Sequence, residues 1–110
     1  MAYDERLAAR VRELVEGEPG LSEKRMFGGN AFLVHGHLAV SASSRGGLLL
    51  RVDPAEGEAL LADPRAEPFV MRGREMAGWL HVLVDATVDE DELERWVTRG
   101  VRYARSLPPK

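Results

Sequence analysis

The sequence predicts a two-layer α+β domain, with an antiparallel sheet of about five strands and helices on one face, in the order α-β-β-β-α-β-β-α. Apolar residues recur with a helical period near both ends of the chain, whereas the middle holds short apolar runs separated by glycine. The connections between those runs are too short for parallel crossovers, so we expect the strands to pair antiparallel. A chain of 110 residues has the size of one domain, and we expect residues 1–110 to form a single domain.

The first helix is predicted between Asp4 and Glu16, where four apolar residues recur at i, i+4, i+7 and i+8. They are Leu7, Val11, Leu14 and Val15. Gly17 and the Pro19-Gly20 pair should end this helix, because proline cannot continue the hydrogen-bond ladder and glycine accepts a left-handed cap.

Three antiparallel strands are predicted between Glu23 and Val52, a segment of short apolar runs separated by glycine. We expect the first strand to be long and bent at Gly28-Gly29, since two residues without a Cβ permit a bulge or a sharp bend. The His35-Gly36 pair is flanked by apolar runs and therefore predicts a tight hairpin turn.

A short second helix is predicted to begin at Asp53, the N-cap, with Pro54 at the first helical position. Asp63-Pro64 should close it. Two further strands are expected around residues 69–71 and 78–84, joined by a charged turn at residues 72–75.

The last helix has the clearest pattern of the chain. Thr87-Val88-Asp89-Glu90 matches a capping box, and acidic residues fill the first turn. The predicted core stripe is Leu93, Trp96, Val97, Val101 and Ala104. The tail from Leu107 to Lys110 contains two prolines and should stop the helix.

Composition excludes several classes of protein. Cysteine is absent, so disulfides, thiolate metal sites and cysteine nucleophiles are excluded. The chain has neither a signal-peptide pattern at its start nor an apolar run of membrane-spanning length, which predicts a cytoplasmic protein. The net charge of −3 argues against binding nucleic acid through bulk electrostatics. Arg95, Arg99 and Arg102 form a basic stripe on the last helix, for which a solvated face is the favoured interpretation.

No catalytic or metal-binding set is evident in the sequence. His35, His37 and His81 match no zinc spacing, and Gly28-Gly29 lacks the further residues of a phosphate-binding loop. An anion could bind at Arg45-Gly46-Gly47, although a polar hairpin loop explains that segment better. We therefore predict no catalytic residues, no metal and no cofactor.

One speculative ligand site combines basic residues with an aromatic ring, which together can bind anionic or planar ligands. Its members are Lys24, Arg25, Arg51, Arg74 and Trp79. The bend at Phe27, Gly28 and Gly29 adjoins it. The alternative is that these are ordinary exposed charges on the face of the sheet.

A series of short motifs, spread from residue 24 to the end of the chain, resembles the TfoX N-terminal domain family. The motifs are Lys24-Arg25-Met26-Phe27-Gly28-Gly29, Phe32 with Gly36, Leu50-Arg51-Val52, Gly73-Arg74-x-Met76, Gly78-Trp79, Trp96 and Leu107-Pro108-Pro109-Lys110. The resemblance implies a similar two-layer fold, as found in bacterial regulators that promote competence genes alongside the cyclic-AMP receptor protein. It supplies no catalytic residues to carry over to this sequence, since stand-alone members generally lack an assigned activity.

Two functional hypotheses follow. The first is a non-enzymatic regulatory or protein-interaction domain with a protein partner, linked to bacterial transcription or competence. A homodimer through a sheet edge is compatible with it, because an open sheet has edges to protect. The alternative is a small anionic-ligand-binding domain or an uncharacterised enzyme centred on the basic residues and Trp79. Direct binding of nucleic acid and association with a membrane are not expected.

Overall fold

The structure, a computed structural model, describes residues 3–26 and 28–109. In that part of the chain the backbone forms three helices and six strands. The helices are α1 (Glu5–Val15), α2 (Pro54–Leu60) and α3 (Glu90–Ser106). The strands are β1 (Leu21–Met26), β2 (Gly29–Val34), β3 (His37–Ala42), β4 (Leu48–Arg51), β5 (Ala66–Met71) and β6 (Arg74–Val82).

All six strands belong to one antiparallel sheet, in the order β1-β2-β3-β4-β6-β5. α3 packs across β3 and β4 with α1 beside it, and α2 packs against β6. The main apolar cluster lies between α1, α3 and the sheet, and it includes every residue of the stripe predicted for the last helix. The two-layer α+β prediction is confirmed. None of the helices in the described ranges is both long and apolar enough to cross a membrane.

The predicted long, bent first strand is wrong, because the chain reverses there instead of bending. Met26 and Gly29 face each other in register, so β1 and β2 form a hairpin with Gly28 in its turn at φ +76°. Gly29 begins β2, where a Cβ would overlap the carbonyl oxygen of Ala42. The sheet therefore has six strands rather than five. Phe27, the third residue assigned to the bend, lies outside the described residues.

Two further hairpins, β2–β3 and β5–β6, have turns of two residues each. His35 and Gly36 both have positive φ angles, 51° and 86°, in the turn predicted between β2 and β3, which is therefore confirmed. Arg72 and Gly73 form the turn between β5 and β6. That turn is shorter than predicted, because β6 already begins at Arg74.

The N-terminal cap of α3 differs from the predicted capping box. Asp89 is the cap, and its carboxylate accepts from the backbone N–H groups of Asp91 and Glu92 at 3.1 and 3.4 Å. The hydroxyl of Thr87 instead donates to Asp85 at 2.6 Å. The helix consequently begins after residue 89, and the segment before it forms a loop.

A second apolar cluster covers the opposite face of the sheet. Its buried members are Ala31, Leu33, Leu38, Leu49 and Phe69, with Met26, Met71 and Trp79 packed against them. Phe69 and Met71 of β5 share a cavity with Ser41 of β3 and Leu49 of β4, although β6 separates β5 from β4 in the sheet. The edge hairpin therefore bends back over this face. Helices on one face and a folded hairpin on the other bury both sides of the sheet.

Glu23 connects α1 to the sheet edge. Its carboxylate accepts from the Arg12 guanidinium at 2.6 and 3.0 Å and from the Asn30 side-chain amide at 2.7 Å. The hydrogen bond from Arg12 is the main reason that the pKa of Glu23 is lowered, and Asn30 adds to it. Stability from a carboxyl with a lowered pKa is present above its unfolded-state pKa and is lost as pH falls through the folded-state value.

We expect Glu23→Gln to be less stable than the wild type at pH 7 by about 1 kcal/mol or less, since the pair is partly exposed. The difference should shrink as pH falls below the ordinary glutamate range of about 4–5, where the wild-type carboxyl also becomes neutral. Urea unfolding at several pH values measures this difference in the free energy of unfolding between the variant and the wild type. Glu13→Gln, an exposed change on α1 next to Arg12, is the control and should follow the wild type. A Glu23→Gln difference that stays constant down to pH 3 would contradict this assignment.

Candidate functional site

The structure brings together two of the five residues of the predicted ligand site. Arg51 and Trp79 are cross-strand neighbours on β4 and β6. The guanidinium carbon of Arg51 lies 5.3 Å from the centroid of the Trp79 ring and 5.6 Å from that of Tyr103 on α3. Such distances are those of cation–π contacts, so Arg51 contacts both aromatic rings.

The remaining three predicted residues lie elsewhere on the sheet. Lys24 and Arg25 are exposed on β1, the edge strand, and β2 and β3 lie between them and β4. The Arg25 guanidinium stacks over the ring of Tyr3 at 5.5 Å. Arg74 is exposed at the start of β6, next to the hairpin turn. A ligand role for the five residues stays a prediction, because the fold unites only Arg51 and Trp79.

The three histidines are far from forming a common site. His35 occupies an exposed turn, whereas His37 is buried and its Nε2 donates to the carbonyl of Pro108 at 2.6 Å. His81 is also buried, with Nδ1 2.7 Å from the Glu67 carboxylate and Nε2 2.7 Å from the carbonyl oxygen of Gly46. Residues 3–26 and 28–109 contain no group of three or more His, Asp or Glu side chains arranged to hold a metal ion.

Two arginines of the basic stripe of α3 make ion pairs within the domain. Arg99 and Arg102 both approach Glu56 of α2, at 3.8 and 3.2 Å. These contacts join the last helix to the short helix α2, and they occupy part of the surface that a phosphate backbone would need.

A cavity of about 550 Å³ opens at one end of the sheet, and we call it the sheet-end cavity. Three connections form it: the β3–β4 loop, the segment before β5 and the β6–α3 loop. The lining residues are Arg45, Gly46, Gly47, Arg65, His81, Leu83, Val84, Asp85, Thr87, Val88, Asp89 and Glu92. Loops gathered at one end of a rigid sheet are a common place for binding residues.

Most charged groups of the sheet-end cavity already have partners. Arg65 pairs with Glu92, and His81 is held from both ring nitrogens. The hydroxyl and then the backbone N–H of Thr87 lower the pKa of Asp85, so this exposed carboxylate is ionised at neutral pH. Arg45 stacks over the Phe69 ring at 5.7 Å. Sequence reasoning noticed the loop at Arg45 but could not place the other two loops against it.

A second cavity, the α2 groove, runs between α2 and the bent hairpin and has a volume of about 290 Å³. Its lining is mostly apolar: Pro54, Gly57, Glu58, Leu61, Pro68, Glu75, Met76, Ala77, Gly78, Trp79 and Leu80. Leu61 is 37% exposed and Met76 is 36% exposed, which is high for large apolar side chains. Neither Glu58 nor Glu75 forms an ion pair with another described residue.

Comparison with known families decides the classification. The family model of the TfoX N-terminal domain matches residues 13–104. The chain belongs to this family. The sheet-end cavity and the α2 groove of this TfoX N-terminal domain lie within the matched residues, as does the Arg51–Trp79 pair. No curated protein and no solved structure is significantly similar to the chain.

Proposed function

We propose that this TfoX N-terminal domain is a non-enzymatic, regulatory protein-interaction domain, and that a partner protein docks in the α2 groove. The observation that carries the proposal is the groove itself, in which large apolar side chains stay exposed beside a bent hairpin. Exposed apolar surface that is gathered in a concave site is a mark of protein contacts. A link to bacterial transcription or competence is the regulatory part of the proposal and rests on family membership.

The occupant we propose is a segment of the partner that presents one large apolar side chain next to a lysine or arginine. A groove of about 290 Å³ has room for a single large side chain against Trp79 and Met76. The carboxylates of Glu58 and Glu75 have no ion-pair partner among the described residues. They favour a basic neighbour, since complementary charges steer binding and fix its register.

A different protein is favoured over a second copy paired through β1. In a two-fold antiparallel pairing, one residue of the strand lies opposite the same residue of the copy. Near the middle of β1 that residue is Glu23, Lys24 or Arg25, so like charges would meet. Charged side chains on an edge strand are a known protection against such pairing.

Selection of displayed random peptides against the wild-type domain tests the proposal. We expect the enriched peptides to combine a large apolar residue with an adjacent lysine or arginine. Leu61→Glu and Met76→Glu should each weaken the selected peptides by about tenfold or more, as expected for a central apolar anchor. Leu83→Glu, the same change at an exposed leucine outside the groove, should leave binding unchanged.

Glu58→Gln combined with Glu75→Gln should weaken the basic peptides about threefold at low salt and less at high salt. Circular dichroism establishes that each variant is folded before binding is compared. Peptides that bind Leu61→Glu and Met76→Glu as tightly as the wild type would overturn the groove assignment. So would a selection in which no peptide is enriched over a surface without the domain.

A further inference from the structure

We propose that the sheet-end cavity binds a small zwitterion with an apolar body, of the class of the aliphatic α-amino acids. The cavity volume of about 550 Å³ lies within the usual range of small-molecule sites. The proposal concerns a different surface from the α2 groove and does not depend on a partner protein.

The first feature of the cavity is the positive charge that remains after internal pairing. Arg65 is matched by Glu92, and the Asp89 carboxylate caps α3. Arg45 lines both the sheet-end cavity and a smaller cavity next to Phe69. Among the described residues, no carboxylate pairs with the Arg45 guanidinium, which lies over the Phe69 ring. Arg45 therefore keeps several N–H donors for a carboxylate, which a guanidinium binds in a fork geometry.

The second feature of the cavity is a negative group, the carboxylate of Asp85. Asp85 uses Oδ1 to accept from both the backbone N–H and the hydroxyl of Thr87, at 2.9 and 2.6 Å. Its Oδ2 makes no hydrogen bond to any other described residue. The two bonds from Thr87 hold the carboxylate in a fixed orientation, so Oδ2 is available for an ammonium group.

The third feature of the cavity is its apolar lining. Leu83 is 48% exposed, the highest value among the large apolar residues found exposed in this structure, and it lies on the β6–α3 loop with Val84 and Val88. Arg45 and Asp85 come from two different loops that line the same cavity. A ligand that carries a carboxylate, an ammonium group and an aliphatic side chain satisfies all three features, whereas a simple anion satisfies only one.

His81 keeps the loop of Arg45 in place. Its Nε2 lies against the carbonyl oxygen of Gly46, and Nδ1 lies against Glu67 of β5. Gly47 also lies too close to the carbonyl oxygen of Val82 to admit a Cβ. The β3–β4 loop is thus fixed to β5 and β6, which prepares the site before a ligand arrives.

Three probes test the proposal by NMR titration at pH 7. L-Leucine carries both charges, 4-methylpentanoate lacks the ammonium group, and 3-methylbutylamine lacks the carboxylate. We expect leucine to bind about tenfold more tightly than either of the other two, with shifts at Gly46, Gly47, Leu83 and Val88.

Two substitutions separate the contributions of the charged groups. Arg45→Gln should lower the affinity for leucine about tenfold without affecting the amine, and Asp85→Asn should lower it similarly without affecting 4-methylpentanoate. Arg72→Gln and Asp91→Asn are exposed charge changes outside the cavity, and they serve as controls that should bind leucine normally.

Three results would overturn the zwitterion site. One is the absence of shifts at the cavity with leucine up to about 10 mM. Another is leucine binding no more tightly than 4-methylpentanoate or 3-methylbutylamine, which would reveal an anion or a cation site only. The third is shifts confined to the α2 groove.

Discussion

Replacing Gly100 by alanine is expected to destabilise the domain by about 2 kcal/mol or more, although alanine is the better helix former. Gly100 lies in α3 where the helix crosses β3. A Cβ at this position would overlap the carbonyl oxygen of Ala39 and lie 2.8 Å from Cδ1 of Leu50. The overlap is between the backbone of α3 and that of β3, so it can be relieved only by moving α3 away from the sheet. The steric cost therefore exceeds the roughly 1 kcal/mol that alanine contributes in a helix.

Thermal or urea unfolding of Gly100→Ala measures this effect. About 4 °C of melting temperature corresponds to each 1 kcal/mol in a domain of this size. Thr98→Ala, on the exposed side of the same helix, is the matched control and should be neutral or slightly stabilising. If Gly100→Ala were as stable as the wild type, α3 could not cross β3 as closely as the structure has it.

Gly78→Ala should cost about 2–4 kcal/mol, and it should also disturb the α2 groove. Gly78 has a φ of +81°, which carries a penalty for any residue with a Cβ, and the added Cβ would lie 2.6 Å from the carbonyl oxygen of Val52. The Gly78 carbonyl accepts from the Val52 N–H at 2.8 Å, so the two backbones cannot separate freely. Gly78 lies between Glu75 and Leu80, where the pairing of β6 with β5 shifts register.

Gly73→Ala provides the control for Gly78→Ala. Gly73 has nearly the same φ, +77°, but an added Cβ there would find nothing within 4 Å. The Gly73→Ala variant should therefore lose only the stability that a positive φ costs a residue with a Cβ, about 1–2 kcal/mol of unfolding free energy. It should keep the groove intact. Urea unfolding measures the stability loss of both variants, and the loss in Gly78→Ala minus the loss in Gly73→Ala is the cost of the steric overlap at Gly78. Equal losses in the two variants would mean that close packing at Gly78 is absent.

The elements with local signals were predictable from the sequence. The cap at Asp53, the turn at His35-Gly36 and the stripe of α3 all depend on residues within a few positions of one another. The hairpin at Gly28 was missed because a glycine pair is compatible with either a bulge or a reversal. The residues of β1, which precede Gly28 in the chain, are also too polar to suggest a separate strand.

The sites were less predictable because they depend on strand order. Arg51 and Trp79 meet because β4 and β6 are neighbours, whereas Lys24 and Arg25 are on β1 at the far edge. The sheet-end cavity joins loops around residues 45, 65 and 85, and nothing local links them. The pairing of β5 with β6 shifts register between Pro68 and Val70, and no periodicity in the sequence reveals that shift.

An NMR titration of the ¹⁵N-labelled domain with the tightest peptide from the selection tests most directly whether a partner segment docks in the α2 groove. Docking of the peptide in the α2 groove predicts shifts at Leu61, Met76 and Ala77 and at the indole N–H of Trp79, with little change at the sheet-end cavity. Shifts that avoid the groove and instead follow β1, or that appear around Leu83 and Asp85, would contradict it.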